Sequence, residues 1–296
     1  MSKPVRDPYT GRMTTGHEWN GIIELNTPVP KLVLLFLALT FLSSVIIWLL
    51  APAWPGLNGY TKGILGIDQR TTLEKSLEKS AVKTADWRAD IESMTFEDIS
   101  RNSALMATVK DHGERLFEDN CAMCHGSDGR GGNGFPNLVD NQWLWGGDHE
   151  TILETLRVGI NSGHEDSRIS QMMAYGRDGI LTLDQRRAVA AFVLSLSSNS
   201  NNGQKQSDSE ALSLGSEIFN QQCVSCHGPD GRGMQTAGAP NLTDDFWIYG
   251  GDMASIDETL RNGRQGVMPY WDERLSLSDR KVLTLYIREL AQEASQ

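Results

Sequence analysis

The chain has 296 residues, room for about two domains of roughly 100–150 residues each. Charged residues make up 22%, so composition marks neither a disordered nor a fibrous protein. The formal net charge is −11; residues 1–54 carry +1, so the remainder carries −12. That balance argues against nucleic acid, whose phosphates select basic surfaces, and suits a basic or mixed protein partner.

The first predicted element is an apolar helix. Residues 32–50 read LVLLFLALTFLSSVIIWLL, without a charge. At about 1.5 Å per residue such a run spans about 28 Å, close to the hydrocarbon thickness of a bilayer. Lys31 flanks one end, and Trp48 and Trp54 mark the other as an aromatic belt would. A cleaved signal peptide is the competing reading, since APAWPG follows. The run is too long for an h-region and lies too far from the start. The sequence therefore predicts an N-terminal segment over 1–31 and one transmembrane helix over 32–53. Lysine and arginine favour a cytoplasmic N-terminus by a small margin.

Residues 54–107 read as a linker on the far side of the membrane, with one or two helices in its charged half (Leu73, Leu77, Ile91, Met94 and Ile99 are the sparse apolar positions). Two related units follow, over 108–197 and 210–296, joined by a polar linker over 198–209. Gly113 and Gly215 each precede a cysteine by eight residues, and Phe117 and Phe219 by four. PNL recurs at Pro136 and Pro240, WGGD at Trp145 answers YGGD at Tyr249, and ETLR recurs at Glu154 and Glu258. LTLDQRRAVAAFVLSL from Leu181 answers LSLSDRKVLTLYIREL from Leu275. No period-two alternation is convincing, so the fold class is mainly α: one membrane helix, then two tandem domains, which a Cys-x-x-Cys-His motif in each, Cys121–His125 and Cys223–His227, marks as class-I-like cytochrome c domains.

The cytochrome reading comes from the cysteines. All four fall in two copies of Cys-x-x-Cys-His: Cys121, Cys124 and His125, then Cys223, Cys226 and His227. This is the attachment pattern of c-type haem. Two thiols at i and i+3 can form thioethers along one edge of a porphyrin, and the adjacent histidine reaches the iron. A zinc site, a redox pair or disulfides could use the same cysteines. None of these requires a histidine after each second cysteine, in register with a repeat of the whole domain. The pattern predicts two covalently bound haem c. Attachment takes place outside the cytoplasm, which puts both units in the periplasm and the N-terminus inside.

An electron carrier fills both axial positions of its iron, and methionine opposite histidine raises the potential. The second unit offers Met268 in GVMPYW, held ahead of a proline. The first offers Met172 in SQMMAYG, with Met173 as the alternative; alignment on Tyr175 and Tyr270 favours Met172. His164 is a further candidate for the first iron. His112, His149 and His164 otherwise read as solvated. Trp143, Trp145, Trp247, Tyr249 and Trp271 read as haem-edge and core packing, and Arg157 and Arg261 as propionate partners or exposed helix arginines. Spacing makes ligation within each unit the default. The exchange, with Met172 on the second iron and Met268 on the first, stays open.

The anchor, the linker and two haem domains in that order resemble the dihaem subunit III of cbb-type haem–copper cytochrome c oxidases. HEWNGIIELNTPVPK before the anchor and GYTKGILGIDQR after it look like that family's juxtamembrane segments, and CHGxDGRG and GVMPYW like its haem domains. One departure is Met173, where the family usually has proline. The resemblance implies a bacterial inner-membrane protein with no active site of its own. It would take electrons from a donor cytochrome c and pass them through the monohaem subunit to the catalytic haem–copper subunit, which reduces oxygen and pumps protons. A free membrane-anchored shuttle and a haem enzyme or gas sensor with one open iron are the competing functions.

Overall fold

The computed structural model describes residues 3–52, 54–56, 59–140, 142–197 and 209–294. It is mainly helical, and the chain divides into two compact units, residues 1–83 and 84–296. Residues 198–208, nearly all of the expected linker, lie outside the described residues.

The first unit opens with a hairpin. β1 (Thr14–Trp19) pairs antiparallel with β2 (Ile22–Leu25), Trp19 opposite Ile22. The two residues between them, Asn20 and Gly21, have φ of +48° and +85°. Asn-Gly is the pair that a two-residue turn with left-handed centres selects, because its twist matches that of the strands. α1 (Lys31–Leu50) follows, three residues shorter at its end than the expected span to 53. None of its side chains is buried, and among the described residues it is the one helix long and apolar enough to cross a membrane. Its last carbonyls do not go unpaired: the amides of Ile64 and Leu65 donate to the carbonyls of Leu49 and Leu50, both at 3.0 Å. A short pair, β3 (Pro55–Gly56) and β4 (Gly59–Tyr60), forms the way back.

α2 (Gln69–Ser93) starts in the first unit and ends in the second. Leu73 and Leu77 are exposed, but Ile91 is fully buried. α3 (Phe96–Arg101) starts at a Thr95 cap, and α4 (Ser103–Asn120) at Asn102, whose side chain accepts from the amides of Ala104 and Leu105. Ile91, Phe96 and Ile99 pack with Leu105, Val109, Val282 and Leu285. Residues 84–107, within the span expected as a linker with helices, thus contribute side chains to a core.

The remaining helices are α5 (Ala122–His125), α6 (His149–Val158), α7 (Leu183–Leu196), α8 (Ser209–Gln222), α9 (Val224–His227), α10 (Met253–Asn262) and α11 (Leu277–Ala294). α6 and α10 begin at aspartate caps, Asp148 and Asp252, and α7 at a capping box of Thr182 with Gln185. Their packing is not the order of the chain. α7, the last helix of the first repeat, lies on α8 and α10; α11, the last of the second, lies on α4 and α6. Each last helix has crossed to the other repeat. The closest approaches show the same exchange: Gly113 on α4 faces Tyr286, and Gly215 on α8 faces Ala188 and Phe192. Phe117 packs on Tyr286 with ring centres 5.8 Å apart, and Phe219 on Phe192 at 5.3 Å. α7 and α8 are neighbours in sequence, and short connections favour neighbours in space.

Candidate metal centres

Each Cys-x-x-Cys-His forms one helical turn. The amides of Cys124 and His125 donate to the Cys121 carbonyl at 3.1 and 2.9 Å; those of Cys226 and His227 donate to the Cys223 carbonyl at the same distances. Cys121 and Cys223 are buried, Cys124 and Cys226 exposed. Burial pushes the Cys121 thiol up to about 12 and the Cys223 thiol up to about 11, so both are protonated at neutral pH. Each pair thus presents one sulfur inside and one at the rim, as two thioethers along one porphyrin edge would need.

The repeated PNL acquires a role. His125 Nδ1 lies 3.1 Å from the Pro136 carbonyl oxygen, and His227 Nδ1 lies 3.0 Å from that of Pro240. A carbonyl only accepts, so Nδ1 carries the proton and donates, and Nε2 keeps its lone pair for a metal. Burial lowers the pKa of both imidazoles, which keeps them neutral.

The methionines are exchanged with the helices. Met268 packs against the core cluster that joins Phe117, Cys121, Ile152 and Leu156 of the first repeat to Trp271, Leu275, Leu283 and Ile287 of the second. Met172 packs against the cluster that joins Phe219, Cys223, Ile256 and Leu260 of the second repeat to Tyr175, Leu181 and Val189 of the first. Two matching backbone bridges fix them. Met268 and Ile160 exchange amide–carbonyl bonds at 2.9 Å in both directions; Met172 and Arg264 do so at 2.8 and 3.0 Å. Gly159 and Gly263 end α6 and α10 with φ of +68° and +70°. A β-carbon at Gly159 would stand 2.5 Å from the Met268 carbonyl oxygen, and one at Gly263 would meet that of Met172. The packing sets each of these methionines beside the motif of the other unit, whereas spacing made its own unit the default. Sequence periodicity cannot distinguish a closed repeat from an exchanged one.

Met173 points outward, 51% exposed. The three histidines expected in solvent are engaged instead. His112 Nε2 lies 3.3 Å from Asp279, His149 stacks on Phe96 at 4.9 Å, and the His164 side chain is 12% exposed with Nε2 3.3 Å from Asp272. Arg157 is paired with Glu154 at 2.8 Å and with Asp166 at 2.9 Å, and Arg261 is exposed. Arg168 is the arginine that the sequence did not single out: it lies 4.9 Å over the Trp145 ring with Nε buried and unpaired within the chain. Nε1 of Trp143, Trp145 and Trp271 and Nε of Arg280 are buried donors of the same kind. Orphan donors are costly unless a ligand accepts from them, and carboxylates such as haem propionates are acceptors. The residues fit two haem groups.

Comparison with known proteins identifies cytochrome c domains by an independent route. Residues 11–58 match the family model "N-terminal domain of cytochrome oxidase-cbb3, FixP", residues 111–197 match "Cytochrome c", and residues 210–287 match "Cytochrome C oxidase, cbb3-type, subunit III". The chain is 41% identical to the "Cbb3-type cytochrome c oxidase subunit FixP" of Bradyrhizobium diazoefficiens over 284 residues, 96% of both chains. It is 38% identical to the "Cbb3-type cytochrome c oxidase subunit CcoP" of Azospirillum brasilense, over 98% of this chain and 99% of that one. The CcoP subunit of Cereibacter sphaeroides is also 38% identical, over 97% and 98%. With the anchor-length helix, the two cysteine–histidine turns and matches over nearly its whole length, the chain belongs to the FixP/CcoP family of cbb3-type cytochrome c oxidase subunits.

Proposed function

We propose that this chain is the electron-transfer subunit of a cbb3-type cytochrome c oxidase and carries two covalent haem c, ligated across the repeat. The thioethers are those of Cys121 with Cys124 and of Cys223 with Cys226. His125 and Met268 would hold one iron, and His227 and Met172 the other. The observation that carries the crossing is the pair of backbone bridges, Met268 with Ile160 and Met172 with Arg264.

When bound, the two haems supply reversible one-electron iron chemistry. The protein's part is to hold geometry and exclude water. The Pro136 and Pro240 carbonyls orient the histidines and fix their tautomer. Met268 and Met172 lie against apolar cores and would give each iron a thioether sulfur besides its imidazole, a ligand pair that raises the potential. An iron held by both a histidine and a methionine would leave oxygen no place to bind, so the chain passes electrons and does not itself reduce oxygen. It takes them from a donor cytochrome c, for which its acidic surface is suited. It delivers them through the monohaem subunit to the catalytic haem–copper subunit. α1 anchors it in the bacterial inner membrane with the N-terminus in the cytoplasm and the haem domains in the periplasm, where haem is attached.

Purification from membranes in mild detergent tests this. The expected preparation contains a haem–copper subunit, two c haems per chain, and c-haem spectra unmoved by carbon monoxide. A c haem that binds carbon monoxide in the intact subunit would contradict six-coordination. A dihaem chain that never co-purifies with oxidase subunits, even after cross-linking in the membrane, would point to a free shuttle.

A further inference from the structure

Where the two ligand segments cross, one side chain touches both. Asn161 follows Ile160, the residue bridged to Met268. Its Nδ2 donates to the Ser170 carbonyl and to the Gly266 carbonyl, both at 2.7 Å. Its Oδ1 accepts from the Ser170 amide at 3.1 Å, and its own amide donates to the Arg168 carbonyl at 2.7 Å. The carboxamide has two donors and an acceptor, and this set of bonds uses all three. Ser170 is two residues before Met172, and Gly266 is two before Met268.

The backbone is held for this purpose. Asn161 has φ of +47°, and Asn20 in the hairpin turn is the only other non-glycine residue with positive φ among those described. Asparagine tolerates that region better than most residues. The repeat offers no second copy of the device: Gln265 is the position equivalent to Asn161, and it is exposed.

We propose that Asn161 is a positioning residue shared by both methionine ligands, so that one carboxamide couples sulfur ligation at the two irons. The proposal rests on the crossed ligation above. Removing the side chain would free both segments at once, although it contacts neither iron.

The test uses the full-length chain, with Asn161→Gly and Asn161→Asp. Glycine keeps the positive φ and loses the side chain. Aspartate keeps the acceptor for Ser170 and turns the shared donor into an acceptor. Each is combined with Met172→Ala or Met268→Ala, so that one methionine-ligated iron remains to be read. The readout is displacement of that methionine by added imidazole, followed by loss of the far-red band that marks sulfur bound to ferric iron. Losing the two donated bonds in either variant, and the bond from the Ser170 amide as well in glycine, predicts that imidazole competes about tenfold more readily in both backgrounds, with the melting temperature little changed. An effect in only one background, in neither, or a lower melting temperature with unchanged displacement would overturn the proposal. If the single methionine variants do not open an iron on their own, the ligand assignment fails. If they do and the Asn161 variants change nothing, the clasp alone fails.

Discussion

Gly159 and Gly263 hold the exchanged ligand segments at the closest range. Alanine at Gly159 brings a β-carbon against the Met268 carbonyl on a backbone with φ of +68°. Conformational strain and the clash together should cost about 1–3 kcal/mol. Gly159→Ala should therefore lower the melting temperature and make the iron of the first motif bind carbon monoxide, while the second stays closed; Gly263→Ala should do the reverse. A second residue-scale prediction concerns Asp279. Burial raises its pKa, but bonds from His112 and Ser276 and the Arg88 charge outweigh that and hold it well below the usual carboxylate range. Arg88 Nη1 lies 2.8 Å from it. A depressed folded pKa gives stability that is complete above the unfolded value near 3.8 and is lost as pH falls toward the folded one. Asp279→Asn should thus be less stable by about 2 kcal/mol at pH 7, since it takes the carboxylate away from a half-buried arginine and leaves that charge with serine hydroxyls. The gap from the parent protein should stay constant down to about pH 5 and then narrow with further acid. Denaturant melts across that range check both the size and the sign.

At the scale of elements, the four long helices around the two cores meet at two crossings. Gly113 allows α11 to lie close, since a β-carbon there would stand 2.6 Å from Tyr286 Cβ. Gly113→Val should push α11 off α4 at a cost of about 1–3 kcal/mol. Because α11 follows the Met268 segment, the substitution should also loosen ligation at the first motif, although it lies in the first repeat and Met268 in the second. Carbon monoxide binding by the haem on Cys121 reads this directly. Several elements are legible in the sequence for plain reasons. α1 is charge-free over a bilayer's length, and the cysteine turns carry a motif with one dominant chemistry. The hairpin carries a signal of its own inside the segment read only as N-terminal: Trp19-Asn20-Gly21-Ile22 is an Asn-Gly turn between apolar residues. What could not be read was the exchange of α7 and α11. The repeats are so alike that Phe192 and Tyr286, or Met172 and Met268, satisfy either core, and only packing distinguishes them. Asn161 was invisible for the opposite reason, since its partners are backbone carbonyls that no side-chain pattern announces.

At the scale of the whole molecule, the exchange makes the two haem domains a single structure. Each core draws helices from both repeats, so neither repeat can be removed without leaving the other core open. Opening the chain within residues 198–208 with an inserted protease site should leave the two fragments bound under native conditions. They should separate only on denaturation, with the thioether-bound haem of Cys121 on one and that of Cys223 on the other.

That separation provides the most direct measurement. In the Met268→Ala protein, peroxide should destroy the haem whose iron has been opened and spare the six-coordinate one. The chain is then cut within 198–208, denatured, and the haem on each fragment counted. Crossed ligation predicts loss from the N-terminal fragment, which carries Cys121, and Met172→Ala should give loss from the C-terminal fragment. Loss from the fragment that bears the substituted methionine would contradict the account.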